Sequence, residues 1–124
     1  MILADTSVWI NHVRFGEPEL SRLLIAEQIL VHPFVVGELV VGNLKNRATF
    51  IEQLRDMPQS VVAMDDEVLR LIEGRGLFGR GIGYVDAHLL ASISLMPGTL
   101  IWTRDKRLHA IAEVMGHAFQ QPSH

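Results

Sequence analysis

Short apolar runs recur along this chain at intervals filled by segments of helical period, and the first and last of them lead directly into acids and hydroxyls. The runs are Ile2-Leu3-Ala4, Ile29-Leu30-Val31, residues 60–63 and residues 99–102, with residues 117–119 as a candidate edge strand. Between them, apolar positions three and four apart predict helices over residues 6–13, 19–27, 34–43, 46–56, 65–73, 84–95 and 104–115. Pro33 suits the first position of one of these helices. Strands separated by helices pair through crossovers rather than hairpins, and the crossover helices cover both faces of a mostly parallel sheet. The expected fold class is α/β, three layers α/β/α around that sheet, as a single domain over residues 1–124.

Composition narrows the chemistry. The chain has no cysteine, which excludes disulfides, thiol catalysis and cysteine-ligated zinc. No charged-then-apolar leader and no run near 20 apolar residues is present, so a cytoplasmic location with no membrane partner is expected. A formal charge of −3 argues at first against a nucleic-acid partner. Setting four of the fourteen acids aside as metal ligands leaves ten against eleven basic residues, so net charge does not decide the matter.

Four acids fall in places that need explaining. Asp5 closes the first apolar run, and Thr103 and Asp105 close the last. Ligands of open parallel sheets bind outside the carboxyl ends of the strands. Glu38, in HPFVVGELVVG, has Phe34, Val35, Val41 and Gly42 as same-face neighbours, which predicts a carboxylate turned toward the core. Asp86, in GYVDAHLLASISL, has Leu89, Leu90 and Ile93 at the corresponding offsets. Taken singly, Asp5 and Asp105 read as helix N-caps, and Asp86 as a first-turn acid favoured by the helix dipole. Taken together they need one shared partner. Two like charges about 4 Å apart repel by about 4 kcal/mol at an effective dielectric near 20, so gathered carboxylates stay partly protonated unless a cation neutralises them. All-oxygen ligands favour Mg²⁺ or Mn²⁺, and such a cluster is a place to hydrolyse phosphodiesters.

The segments MILADTSVWI, HPFVVGELVVGNL, GRGIGYVDAHLLAS and LIWTRDKRL, in this order and spacing, resemble the PIN-domain endoribonucleases, specifically the VapC toxins of VapBC toxin–antitoxin pairs. The family's acidic quartet falls on Asp5, Glu38, Asp86 and Asp105, its hydroxyl before the last acid on Thr103, and its small polar positions after the first acid on Thr6 and Ser7. The resemblance implies a PIN-like sheet with flanking helices, Mg²⁺- or Mn²⁺-dependent RNA cleavage and homodimers. It also implies inhibition by a cognate VapB-type antitoxin that docks a C-terminal segment over the cleft, in a complex of higher order.

On that basis Asp5 and Asp86 hold the principal ion, directly or through water, with Asp105 as a further or alternative ligand. Glu38 orients or deprotonates the attacking water, or helps hold a second ion; Thr6, Ser7 and Thr103 support the carboxylates. Candidate RNA contacts are Lys45 and Arg47, the loop residues Arg75 and Arg80, and Arg104, Lys106 and Arg107 beside the last acid. Trp9 and Trp102 lie in apolar runs and read as core or interface, although stacking on bases stays open.

Residues 74–79, GRGLFG, match a dinucleotide-binding glycine pattern, but a helical segment rather than a strand precedes them. Two other classes remain open at this level. One is a phosphoacceptor receiver-like module with Asp56-Met57-Pro58 at its acceptor, disfavoured by the polar helical run before Asp56. The other is a metal-binding domain without turnover.

Overall fold

The computed structural model describes residues 1–122. Its sheet is built from β1 (Ile2–Ala4), β2 (Ile29–Leu30) and β3 (Leu100–Trp102) in the order β2-β1-β3, all parallel. Seven helices alternate with and surround these strands among the described residues: α1 (Thr6–Phe15), α2 (Pro18–Ile25), α3 (Pro33–Val40), α4 (Arg47–Asp56), α5 (Asp65–Arg75), α6 (Tyr84–Ser94) and α7 (Lys106–Val114). The α/β class and the helix order read from apolar periodicity are therefore observed, with ends shifted by a few residues. No helix among the described residues is long and apolar enough to cross a membrane.

The central strand fixes everything near the site. Leu3 and Ala4 of β1 point to opposite faces and neither is exposed, so both faces of the sheet are covered. Ala4 pairs with Trp102, and the Asp5 N–H donates to Trp102 O at 2.9 Å. This register brings the carboxyl ends of β1 and β3 side by side, with Asp5 and Thr103 as the first residues beyond them. Beneath lie Leu20, Ile29, Leu89, Leu90, Ile93, Ile101 and Leu108, all essentially inaccessible to solvent. Each such side chain contributes about 2 kcal/mol by leaving water.

Two expected strands shrink to single rungs. Residues 60–63 were expected to form a third strand, yet only Gln59 pairs, with Val31, through Val31 N–H to Pro58 O and Ser60 N–H to Val31 O. Beyond Ser60 the chain leaves the sheet because Ala63 N–H bonds Ser92 Oγ on α6 instead, at 3.1 Å, and Val61 and Val62 face solvent. The expected edge strand at residues 117–119 likewise pairs only at Ala118, with Ile101. Gln120 and Gln121 then turn to Glu113 and Glu17 rather than extend the ladder.

Trp9 and Trp102 are both core residues, 3% exposed; Trp9 meets Phe50 and His12 edge-on, and Trp102 packs on Phe119. Neither is available to stack on a nucleobase.

Candidate active site

Asp5 is the N-cap of α1, where its Oδ1 accepts from Val8 N at 3.2 Å and from Ser7 Oγ at 2.6 Å. Only 5% of it is exposed. Burial pushes its carboxyl above the usual range; the Ser7 and Thr103 hydroxyls and the Val8 N–H pull the other way, and the charge of Asp86 adds to the rise. Ser7 Oγ also accepts from Arg104 N at 2.9 Å, which ties the start of α1 to the loop after β3.

Asp105 caps α7 in the same manner. Its Oδ1 accepts from Arg107 N at 2.8 Å and Leu108 N at 3.0 Å, and its own N–H donates to Thr103 Oγ1 at 3.0 Å. Asp86 lies in the first turn of α6, where its Oδ2 accepts from Gly83 N at 3.1 Å. Burial comes first in raising its carboxyl, and the charges of Asp105 and Glu38 push it further. The N-cap reading and the clustered reading are thus one arrangement. Three helix N-termini each carry an acid, and the positive ends of their dipoles partly offset the negative charge gathered between them.

Glu38 corrects the expectation drawn from its neighbours. It is exposed, because α3 buries Val35 and Leu39 while Val41 stands 86% exposed. The buried stripe runs one position to the side of the carboxylate. Glu38 reaches the other acids from the solvent face, and Thr6 Oγ1 donates to its Oε1 at 2.6 Å.

Asp86 therefore lies within electrostatic reach of the other three carboxylates, each from a separate segment. Among the described residues no Lys, Arg or His stands within ion-pairing distance of any of them. Nor do three acidic or histidine side chains among those residues form a ready-made ion cage. The donor set is nonetheless that of a hard divalent cation, carboxylate oxygens in a chain with no cysteine. Mg²⁺ takes one or two carboxylates and fills the rest of its octahedron with water, so a closed protein cage is not required. In Glu38, Asp86 and Asp105 the hydrogen bonds above fall on one oxygen, which leaves the second to face a cation.

The basic residues divide. Arg75 and Arg80 line a cavity of about 400 Å³ with Leu77, Ile111 and Met115. Lys106 is exposed in the first turn of α7, and the Arg107 side chain lies against Gly81 in the loop before α6. Arg47 is engaged with the C-terminal end of α3, donating to Val40 O and Gly42 O. Arg104 pairs with Glu17, at 4.0 Å. The reading of the sequence missed Glu17, since an acid between Gly16 and Pro18 looks like an ordinary helix boundary.

The receiver alternative fails on position. Asp56 is the last residue of α4 rather than a residue beyond a strand, and it lies with Met57, Pro58 and Leu24 at a separate depression.

The PIN domain family model matches residues 2–114 of the chain. Ribonuclease VapC32 of Mycobacterium tuberculosis, in strains CDC 1551 / Oshkosh and H37Rv, is 46% identical over 121 residues, covering 98% of either chain. Among solved structures, PAE2754 from Pyrobaculum aerophilum superposes with a TM-score of 0.65 at 16% identity, over 95% of this chain and 87% of that one. FitAcB from Neisseria gonorrhoeae gives 0.63 at 19% identity, over 91% and 94%. At these identities the two structures attest the fold alone.

Proposed function

We propose, from the premise that the chain belongs to the PIN-domain family and within it to the VapC-type ribonucleases, that this protein is a metal-dependent endoribonuclease and the toxin of a toxin–antitoxin pair. It hydrolyses RNA phosphodiesters at Asp5, Glu38, Asp86 and Asp105. The observation that carries this reading is that Asp86 is pushed up by Asp105 and Glu38 as well as by burial, while no basic side chain among the described residues pairs with any of the four. Such a site is incomplete without a cation.

Asp5 and Asp86 would hold Mg²⁺ or Mn²⁺, with Asp105 as a further ligand. When bound, the ion acidifies a coordinated water and offsets charge on the phosphoryl oxygens. The chain's own residues supply the rest. Ser7 and Thr103 favour the charged form of Asp5. Glu38, exposed and held by Thr6, is free to orient the attacking water and take its proton. Arg75, Arg80, Arg104 and Lys106 meet the RNA backbone, which positions the strand without reading its sequence.

One surface groove supports an antitoxin partner. Ile10, Val13, Leu39 and Leu44 line a small groove of about 140 Å³ that also contains Glu38. An apolar-anchored segment of a VapB-type antitoxin seated there covers the cleft. We further propose that residues 1–124 work as a single domain in the cytoplasm and assemble as a homodimer. Leu69 on α5 and Leu95 at the C-terminal cap of α6, about half exposed on two helices that pack together, supply apolar surface for that contact.

The test is cleavage of RNA by the purified protein in Mg²⁺. The reading requires activity that EDTA removes and that Asp5→Asn abolishes with the circular dichroism spectrum unchanged. Undiminished cleavage by that variant overturns it.

A further inference from the structure

Glu17 lies in the turn between α1 and α2, and its side chain is 9% exposed. A carboxylate in that position is expensive unless donors meet it. Two neutral donors meet it and one cation stands at the edge of pairing distance, each from a different segment. Asn11 Nδ2 donates to Oε2 at 3.2 Å, Gln121 Nε2 to Oε1 at 3.0 Å, and Arg104 Nη1 stands 4.0 Å from Oε2. The Glu17 N–H is taken by His12 Nδ1 at 3.0 Å, so main chain and side chain are both fixed. Asn11 and Gln121 are neutral, which leaves Arg104 as the one charge matched to Glu17 among the described residues.

Arg104 sits at a sensitive place. It follows Thr103 and precedes Asp105, and its N–H donates to Ser7 Oγ, the hydroxyl that holds Asp5 Oδ1. A guanidinium is always charged, and its planar fork matches a carboxylate. Asp105 follows it directly and Asp5 shares the Ser7 hydroxyl with its backbone, so both are acids that this guanidinium could pair with. Among the described residues its ion-pair partner is Glu17 instead, at 4.0 Å.

We infer that Glu17 is a positioning residue: it draws the Arg104 side chain away from the acid cluster and so keeps those carboxylates open to a divalent cation. The inference rests on the metal-site reading above. Without the charge on Glu17, Arg104 turns to Asp105 or Asp5 and competes with the ion for their oxygens. It also explains a buried acid that takes no part in the reaction itself.

The experiment is a double-mutant cycle of Glu17→Gln and Arg104→Ala, read in two ways. Mn²⁺ uptake, followed by the electron paramagnetic resonance of the free ion, is expected to weaken about tenfold in Glu17→Gln and to recover to within about twofold of wild type when Arg104→Ala is added. In EDTA, urea unfolding of the four proteins is expected to reveal a coupling of about threefold or more in the unfolding equilibrium constant. Coupling in EDTA with unchanged Mn²⁺ uptake in Glu17→Gln, or failure of the second substitution to restore it, overturns the inference and leaves the active-site reading standing. A wild type that takes up no Mn²⁺ and cleaves no RNA overturns both.

Discussion

Thr6 Oγ1 donates to Glu38 Oε1 at 2.6 Å, joining the first turn of α1 to the last turn of α3 across the mouth of the acid cluster. Glu38 is exposed, so this hydroxyl rather than packing sets where its carboxylate points. Thr6→Val should lower kcat about tenfold with KM little changed, since it removes a constraint on the group proposed to act in the chemical step. Glu38→Gln should lower kcat by about 10²-fold or more, the usual scale of a general base. Equal activity of Thr6→Val and wild type in single-turnover cleavage would detach Thr6 from the reaction.

Asp86 opposes the fold that carries it. Its carboxyl is raised by burial and by Asp105 and Glu38, so the ionised form is disfavoured in the folded state. For an acid shifted this way, the favourable contribution exists below the unfolded value of 3.8 and is lost as pH rises through the folded one. At neutral pH without metal, Asp86→Asn should therefore raise Tm by a few degrees while abolishing cleavage. Asparagine keeps an oxygen for the Gly83 N–H, which limits the change to charge. Calorimetry in EDTA checks the sign, and a lower Tm for the variant contradicts it.

His32 makes the fold acid-sensitive from a second direction. It is fully buried; its Nδ1 accepts from Phe34 N at 3.0 Å, which leaves Nε2 to donate to Ser92 Oγ at 3.1 Å. Burial, with His88 beside it, lowers its pKa from 6.5 to about 4. The unfolded chain thus takes up a proton between pH 6.5 and 4 that the folded one refuses. Stability present above pH 6.5 falls as the pH drops through this window, by on the order of 3 kcal/mol in all. His32→Asn, which retains an N-cap for α3, should flatten that dependence in denaturant titrations from pH 7 to 4.5. An identical slope in the variant would remove His32 as its source.

Gly81 holds φ +82°, and a Cβ there would stand 2.6 Å from Arg107 Cδ and Nη1. Gly81→Ala should destabilise the protein by about 1–2 kcal/mol from the left-handed backbone alone. It should also displace the Arg107 side chain and weaken RNA binding a few-fold. Urea unfolding and a filter-binding titration measure the two effects separately, and an unchanged unfolding midpoint contradicts the first.

Much of this was legible in the sequence, for reasons that differ by residue. Asp5 and Asp105 were readable because an apolar run that stops at an acid marks a strand's carboxyl end in a parallel sheet, and the register of β1 with β3 does the rest. Glu38 stands within electrostatic reach of Asp86, but not by the burial expected of it. Its stripe of apolar neighbours looked like a core face, but α3 turns Val35 and Leu39 inward and leaves Val41 in solvent. Residues 60–63 have strand-like composition, yet Pro58 ends α4 just before them and Ser92 captures Ala63, neither of which periodicity can register. Glu17 was invisible for a related reason. Its partners, Asn11, Arg104 and Gln121, come from segments that only tertiary structure brings together.

The proposed activity requires that these separate acids serve one divalent ion. Anomalous diffraction from crystals grown in Mn²⁺ tests it most directly. A strong Mn²⁺ peak bounded by the carboxylates of Asp5, Asp86 and Asp105 is expected, lost in crystals of Asp86→Asn. Wild-type crystals with no peak between these side chains, or with Mn²⁺ bound only elsewhere, would contradict it.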